Sequence, residues 1–192
     1  LIPKGSEYKK IKKKIRNNYL TSDINQENMS FLYTFAKLMR IKDRSFVNSM
    51  NSFKGLPHRF EMFLNKKDII FINDSKATTF RATQSALSSL KNIYWILGGL
   101  PKKNDKIKIS KYKSNITKCY LIGKNINFFK KQIKNKLAFS ITKNLKNSLI
   151  QILKDIKLQK NNRKYILLSP AAASFDQFSN FEKRGEEFKR LS

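Results

Sequence analysis

Between residues 69 and 169, short apolar runs of strand length alternate with stretches whose apolar positions recur every three or four residues. The runs 69–73, 93–98, 119–123, 138–142 and 165–169 predict strands. Helices are predicted at 78–90, through Ala82, Ala86 and Leu87; at 128–136, through Ile133; and at 145–156, through Leu149, Ile152 and Leu153. This alternation implies an α/β fold, a mainly parallel Rossmann-like sheet with helices on both faces. Ahead of it the period is helical throughout. Tyr8, Ile11 and Ile15 form a narrow stripe over 7–18 that predicts a surface helix. After the polar residues 22–25, the spacing of Phe31, Leu32, Phe35, Leu38 and Met39 predicts a partly buried helix over 28–41, and a shorter one covers 45–52 and stops near Gly55. Leu56-Pro57 opens a new connection, so the expected units are 1–55, mainly helical, and 56–192.

In parallel sheets, ligands bind beyond the carboxyl ends of the strands. Three polar stretches follow predicted strand ends and are expected to converge on one rim: Asn73 to Thr78, Gly98 to Asp105, and Ser169 to Phe178. Asn73-Asp74-Ser75-Lys76-Ala77-Thr78 delivers an acid, an ammonium and two hydroxyls to a helix N-terminus, where backbone N–H groups and the positive dipole end suit a phosphate or carboxylate. Each stretch also has a plain reading. Lys76 could be a solvated lysine, Gly98-Gly99 a strand-ending turn, and Asp176 a cap for a final helix running toward Arg190. Their shared position at strand ends favours a site. The small residues Ala171 to Ser174 permit close approach of backbone to a ligand. His58 is the only histidine, which excludes a His-rich metal cluster; Arg59 beside it can grip an anion with two parallel hydrogen bonds.

Composition changes this picture only in part. The 192 residues can hold one good core and part of another. A formal charge of +28 raises nucleic-acid binding as a possibility, but the lysines are spread along the whole chain among abundant Asn and Ile, as AT-rich coding sequence would produce. Such a surface also attracts anionic substrates. Cys119 is the only cysteine and stands in an apolar strand, so it is expected to be buried; no intrachain disulfide or cysteine-based zinc site can form. No apolar run approaches the roughly 20 residues that span a bilayer, and no signal-peptide pattern opens the chain, so a soluble cytoplasmic protein is expected. The start at Leu1 instead of a methionine suggests a processed or incomplete product.

Gly55-Leu56-Pro57-His58-Arg59-Phe60-Glu61, Asn73 to Thr78, and Ser169 to Phe178 continuing through Ser179-Asn180-Phe181-Glu182-Lys183-Arg184-Gly185 together resemble the Mur ligases, most closely the D-glutamate-adding member. The resemblance runs from about Asn25 to the C-terminus. Other Mur ligases and folylpolyglutamate synthetases share the scaffold with different amino-acid-binding signatures and remain the alternative, as does a basic nucleic-acid-binding module. The resemblance implies a monomer that joins D-glutamate to UDP-N-acetylmuramoyl-L-alanine in cytoplasmic peptidoglycan synthesis, using ATP and Mg2+, with no nucleic-acid or membrane partner. It implies Asn25, Asn28, Arg59 and Asp74 as nucleotide contacts, although Ile24 stands where the family has a histidine. Lys76 is implied beside the transferring phosphate, and Thr78, Lys102, Ser174 and Phe181 around D-glutamate, with Phe175 contributing backbone. Leu100-Pro101 replaces the commoner Asp-containing turn, which leaves Lys102 and Lys103 as alternatives. No G-x-x-x-x-G-K-[ST] phosphate loop occurs. The chain is therefore expected to be the C-terminal part of such a ligase: a remnant of the ATPase domain over 1–55 and the amino-acid-binding domain over 56–192. Its magnesium ligands are expected upstream, and no ligation is expected from this part alone.

Overall fold

A computed structural model describes residues 5–17, 20–21, 25–158 and 162–192, and it divides the chain into two compact units, Leu1–Gly55 and Leu56–Ser192. In the first, α1 (Gly5–Lys12) is shorter than the predicted 7–18, whose last residue lies outside the described residues. Tyr8 and Ile11 on α1, and Ile15 beyond it, are buried, so this is a packed helix and not a surface one. They pack with Met29, Tyr33 and Ala36 of α2 (Gln26–Leu38) and Phe46 of α3 (Asp43–Ser52). The sequence pattern chose the wrong face of α2. Phe31, Leu32, Phe35 and Leu38, with Met39 just beyond, are exposed, and Met29, Ser30, Tyr33 and Ala36 face inward. The physical reason is shape and polarity. Ser30 and Ala36 are small, and Tyr33 meets Phe46 edge-on at 5.1 Å while its hydroxyl donates to Asp43 Oδ1 at 2.9 Å. Most of the predicted polar cluster, residues 22–24, lies outside the described residues.

The second unit is built on a six-stranded sheet in the order β1-β2-β6-β3-β4-β5. Its elements are β1 (Glu61–Lys66), β2 (Ile69–Asn73), α4 (Phe80–Ser89), β3 (Ile93–Gly98), β4 (Ile116–Ile122), α5 (Ile126–Ile133), β5 (Phe139–Lys143), α6 (Leu145–Lys157), β6 (Lys164–Leu168) and α7 (Phe181–Leu191). All pairings are parallel except β1 with β2. β1 has no counterpart in the sequence reading because it is an edge strand with no fully buried residue, and its polar ends break the apolar run. β3 is buried along its whole length, which is why it reads as one unbroken apolar segment. Its side chains alternate between two cores. Trp95 and Leu97 join Phe80 and Leu87 of α4 and Phe129 and Ile133 of α5 on one face. Tyr94 and Ile96 join Tyr120, Leu149 and Ile152 of α6, and Phe188 of α7 on the other. Within the helices, Ala82 and Leu153 are exposed, and Thr83 takes a buried place that apolar periodicity alone did not assign.

The starts of α4, α6 and α7 are fixed by side chains. Thr79 Oγ1 accepts from Ala82 N–H at 3.2 Å, and Asp105 Oδ2 accepts from Phe80 N–H at 2.8 Å, so α4 begins two residues after Thr78. Asp176 does not cap the final helix. Its carboxylate accepts from Lys124 N–H at 2.8 Å, while Asn180 Oδ1 accepts from Lys183 N–H at 2.7 Å and opens α7.

Candidate functional site

The carboxyl ends of β2, β3 and β6 are stitched together by their loops. Asp74 N–H donates to Leu168 O at 2.8 Å, Gly98 N–H to Pro170 O at 2.9 Å, and Leu100 and Ala173 exchange N–H···O bonds of 2.8 and 3.0 Å. The three polar stretches thus meet on one rim. Gly98 and Gly99 are more than a turn: their φ values are +137° and +132°, and a Cβ would stand 2.0 Å from Ile122 O at Gly98 and 2.3 Å from Ala173 O at Gly99. Only glycine lets β3 end this close to its neighbours.

Asp74 lies at the centre of the rim. Its Oδ2 accepts from Ser169 Oγ–H at 2.7 Å and its Oδ1 from Phe60 N–H at 3.1 Å. Burial pushes its carboxyl up to about 7, against the opposing pull of those two bonds and of the Arg59 guanidinium. Arg59 itself is exposed and closes a turn in which its N–H donates to Leu56 O at 3.2 Å. Lys76 is exposed; its backbone N–H donates to His58 O at 3.0 Å, and its ammonium stands 3.8 Å from the centroid of the Phe181 ring. Thr78 is half-buried just before α4. Lys102 and Lys103 are both exposed in the loop after Leu100-Pro101. Ser174 is buried and its carbonyl accepts from Gln177 N–H and Phe178 N–H, whereas the Phe175 side chain points out. Phe181 is the first residue of α7. Asn25 and Asn28 belong to the first unit. Asn25 precedes α2 without a side-chain cap bond, and Asn28 lines a groove of about 610 Å3 with Glu27, Phe31, Leu32 and Phe35.

Several residues that support this rim had no role in the sequence reading. The Arg184 guanidinium is buried; its Nε donates to Ser75 Oγ at 3.0 Å, and its Nη2 to Ser75 O at 2.8 Å and Ala172 O at 3.0 Å. It therefore ties the loop after β2 to the loop after β6. Burial pulls Arg184 down to about 10, with Asp176 acting in the opposite sense. Ser75 Oγ–H in turn donates to Phe181 O at 2.8 Å. Asn73 organises the other side. Its Oδ1 accepts from Ser75 N–H at 3.2 Å, which fixes the amide orientation, and its Nδ2 faces His58 Nδ1 at 2.9 Å and Glu61 Oε2 at 3.2 Å. His58 Nδ1 is thus an acceptor, and the ring proton belongs on Nε2. Glu61 is raised by burial, but the His58 N–H and Lys189 outweigh this and hold it below the usual range. Gly185 leaves room for the imidazole: a Cβ there would lie 2.2 Å from His58 Nδ1. The one signal for these residues was their presence in the three motifs, since an arginine that will be buried looks like any surface arginine.

No family model matches the chain. Curated relatives do. UDP-N-acetylmuramoylalanine–D-glutamate ligase of Wolbachia sp. subsp. Brugia malayi is 35% identical over 98% of this chain and 39% of its own length. The ligase of the same description from Rickettsia felis is 38% identical over 92% of this chain and 39% of its own. That from Nitrobacter winogradskyi is 40% identical over 74% and 30%. Among solved structures, MurF ligase from Thermotoga maritima in complex with ADP superposes with a TM-score of 0.51 at 14% identity, covering 85% of this chain and 38% of that one. UDP-N-acetylmuramoylalanyl-D-glutamyl-2,6-diaminopimelate–D-alanyl-D-alanyl ligase from Acinetobacter baumannii gives 0.56 at 14% identity, covering 88% and 37%. The chain spans about two-fifths of the length of the curated relatives it matches. Motifs, fold and these likenesses together place the chain in the Mur ligase family, where it corresponds to the C-terminal portion of the D-glutamate-adding ligases.

Proposed function

We propose that this chain supplies the amino-acid-binding part, and a share of the ATP site, of a cytoplasmic ligase that adds D-glutamate to UDP-N-acetylmuramoyl-L-alanine. The observation that carries the reading is the gathering of the Lys76, Lys102 and Ser174 loops on one rim, held by the Leu100–Ala173 pair and the Asp74–Ser169 bond. In the proposed reaction a carboxylate oxygen of the acceptor attacks the γ-phosphorus of ATP and ADP leaves, giving an acyl phosphate. The free amine of D-glutamate then attacks the acyl carbon, and the tetrahedral intermediate expels inorganic phosphate as the amide forms. Negative charge builds first on phosphoryl oxygens and then on the oxyanion, and the Lys76 ammonium is the group assigned to stabilise it. Lys102, with Thr78, Ser174, Phe181 and the backbone at Phe175, is assigned to the carboxylates of D-glutamate, where an ammonium gives stronger bonds than a neutral donor.

Asn25, Asn28, Arg59 and Asp74 are assigned to the nucleotide. A carboxylate offers about four acceptor positions, and Ser169 and Phe60 use two of those on Asp74, so acceptor capacity is left for ribose hydroxyls. Among the described residues no group of three or more His, Cys, Asp or Glu side chains gathers as metal ligands. No helix of the described residues is long and apolar enough to cross a membrane. Against a nucleic-acid-binding module stands the placement of these aromatics: Tyr94, Trp95 and Tyr120 of the sheet and Phe129 of α5 are all in the cores and cannot stack on bases.

The test is a titration of the isotope-labelled chain by NMR. D-glutamate is expected to shift Lys76, Thr78, Lys102 and Ser174, and L-lysine or diaminopimelate to leave them in place; no D-glutamate response, or an equal response to L-lysine, rejects the assignment. In the enzyme that includes the remaining length of the relatives, phosphate release should require acceptor and D-glutamate together.

A further inference from the structure

The Lys76 ammonium has an unusual partner. Among the described residues no carboxylate lies within ion-pair distance of it; its neighbour is the face of the Phe181 ring, 3.8 Å from Nζ to the centroid. Phe181 is itself held at its backbone and at its ring. Ser75 Oγ–H, oriented by Arg184, holds the Phe181 carbonyl, and the His58 imidazole meets the ring edge-on with centroids 5.9 Å apart at 80°. His58 also accepts the Lys76 backbone N–H, and its own ring is held by Asn73 and accommodated by Gly185. Lysine backbone, lysine tip, aromatic face and imidazole therefore form one closed unit.

We propose that Phe181 is a positioning residue for Lys76, with His58 as its brace: the ring holds the ammonium over the rim by its quadrupole instead of by a counter-charge. The distinction has a chemical consequence. A carboxylate partner would neutralise the ammonium and compete with an anionic substrate, whereas an aromatic face attracts the cation and leaves its full charge for the next anion. A cation–π contact at an exposed site is weak enough to be given up. The ammonium can thus pass from ring to anion without breaking an ion pair. This builds on the reading of Lys76 as a substrate-facing group, but the contact itself can be tested apart from it.

The experiment uses the chain with carbon-13-labelled lysine, the Lys76 signals being assigned through Lys76→Arg. In the unsubstituted chain the Lys76 ε-methylene protons should be shifted upfield by the ring; Phe181→Leu should return them to the position of solvated lysines, and Phe181→Tyr should retain the shift. Persistence of the shift in Phe181→Leu, or its absence at the outset, overturns the proposal. Melting curves of the Leu and Tyr variants exclude loss of fold as the cause, because both keep an apolar side chain of similar bulk. D-glutamate affinity of the chain should fall about two- to fivefold in Phe181→Leu and recover in Phe181→Tyr. Equal losses in both variants overturn positioning by the ring. If D-glutamate fails to bind the unsubstituted chain while the upfield shift is present, the functional assignment fails and the contact stands.

Discussion

Asp74 shows how far burial can move one residue from its sequence meaning. Its carboxyl is raised to about 7 in the folded chain, whereas in an unfolded chain it is near 3.9. The folded state therefore binds the proton more tightly. The contribution of Asp74 to stability is fully present below about pH 4 and is lost as the pH rises through about 7. Asp74→Asn keeps an acceptor for Phe60 and can donate to Ser169, and it does not titrate. In urea unfolding, the substituted chain should match the original below about pH 4 and exceed it increasingly toward pH 8; parallel curves would show that Asp74 is not held protonated. Lys76 tests function at the same scale. In the full ligase, Lys76→Ala should lower kcat by the equivalent of about 3 to 4 kcal/mol in the barrier, as loss of a transition-state charge donor does. Steady-state phosphate release measures this, and an unchanged kcat removes the assigned role. Lys76 and Asp74 were legible because a strand followed by a polar stretch marks a strand end. Arg184, Asn73 and His58 were not assigned, because the partners that define their roles lie 12 to 112 residues away.

At the scale of elements, the clearest contrast is between β3 and α2. β3 was legible from its apolar run alone, since both of its faces are covered and every position asks for the same property. α2 carries apolar residues around most of its circumference, so its period fixes a helix without saying which face is covered. The exposed face formed by Phe31, Leu32, Phe35 and Leu38 is a patch of the kind that drives association. In sedimentation velocity this chain should therefore self-associate as its concentration rises, and Phe31→Ser combined with Phe35→Ser should reduce that association with little loss of helix by circular dichroism. α7 gives a second test. Its cap is Asn180, and Asn180→Ala should cost about 1 kcal/mol by chemical denaturation. Because α7 carries both Phe181 and Arg184, that loss should also broaden the resonances of the Ser75 and Ala172 backbone.

At the scale of the whole chain there are two units, and among the described residues their apolar clusters are separate: one in Leu1–Gly55, and two on the faces of the sheet in Leu56–Ser192. A polypeptide of residues 56–192 contains both faces of that sheet together with the helices that cover them. It should fold alone, seen as dispersed amide resonances and a single cooperative unfolding transition, and retain the D-glutamate response of the full chain. Loss of either would show that the first unit contributes to the rim. The charge of +28 belongs to this scale too, and it specifies no site, since it comes from lysines distributed along the chain.

The sequence by itself determined the α/β class, five of the six strands, and the three stretches that form the rim. Local properties suffice for these: apolar runs, helical period and the polar break at a strand end are all read within about ten residues. Only the tertiary structure decided the edge strand β1, the buried face of α2, the true cap of α7, and the lattice of Asn73, His58, Phe181 and Arg184 that aims Lys76. Each depends on which distant surface comes to lie alongside. A ring that holds an ammonium and an arginine that joins two loops acquire those roles from the packing of the chain, not from their neighbours in it.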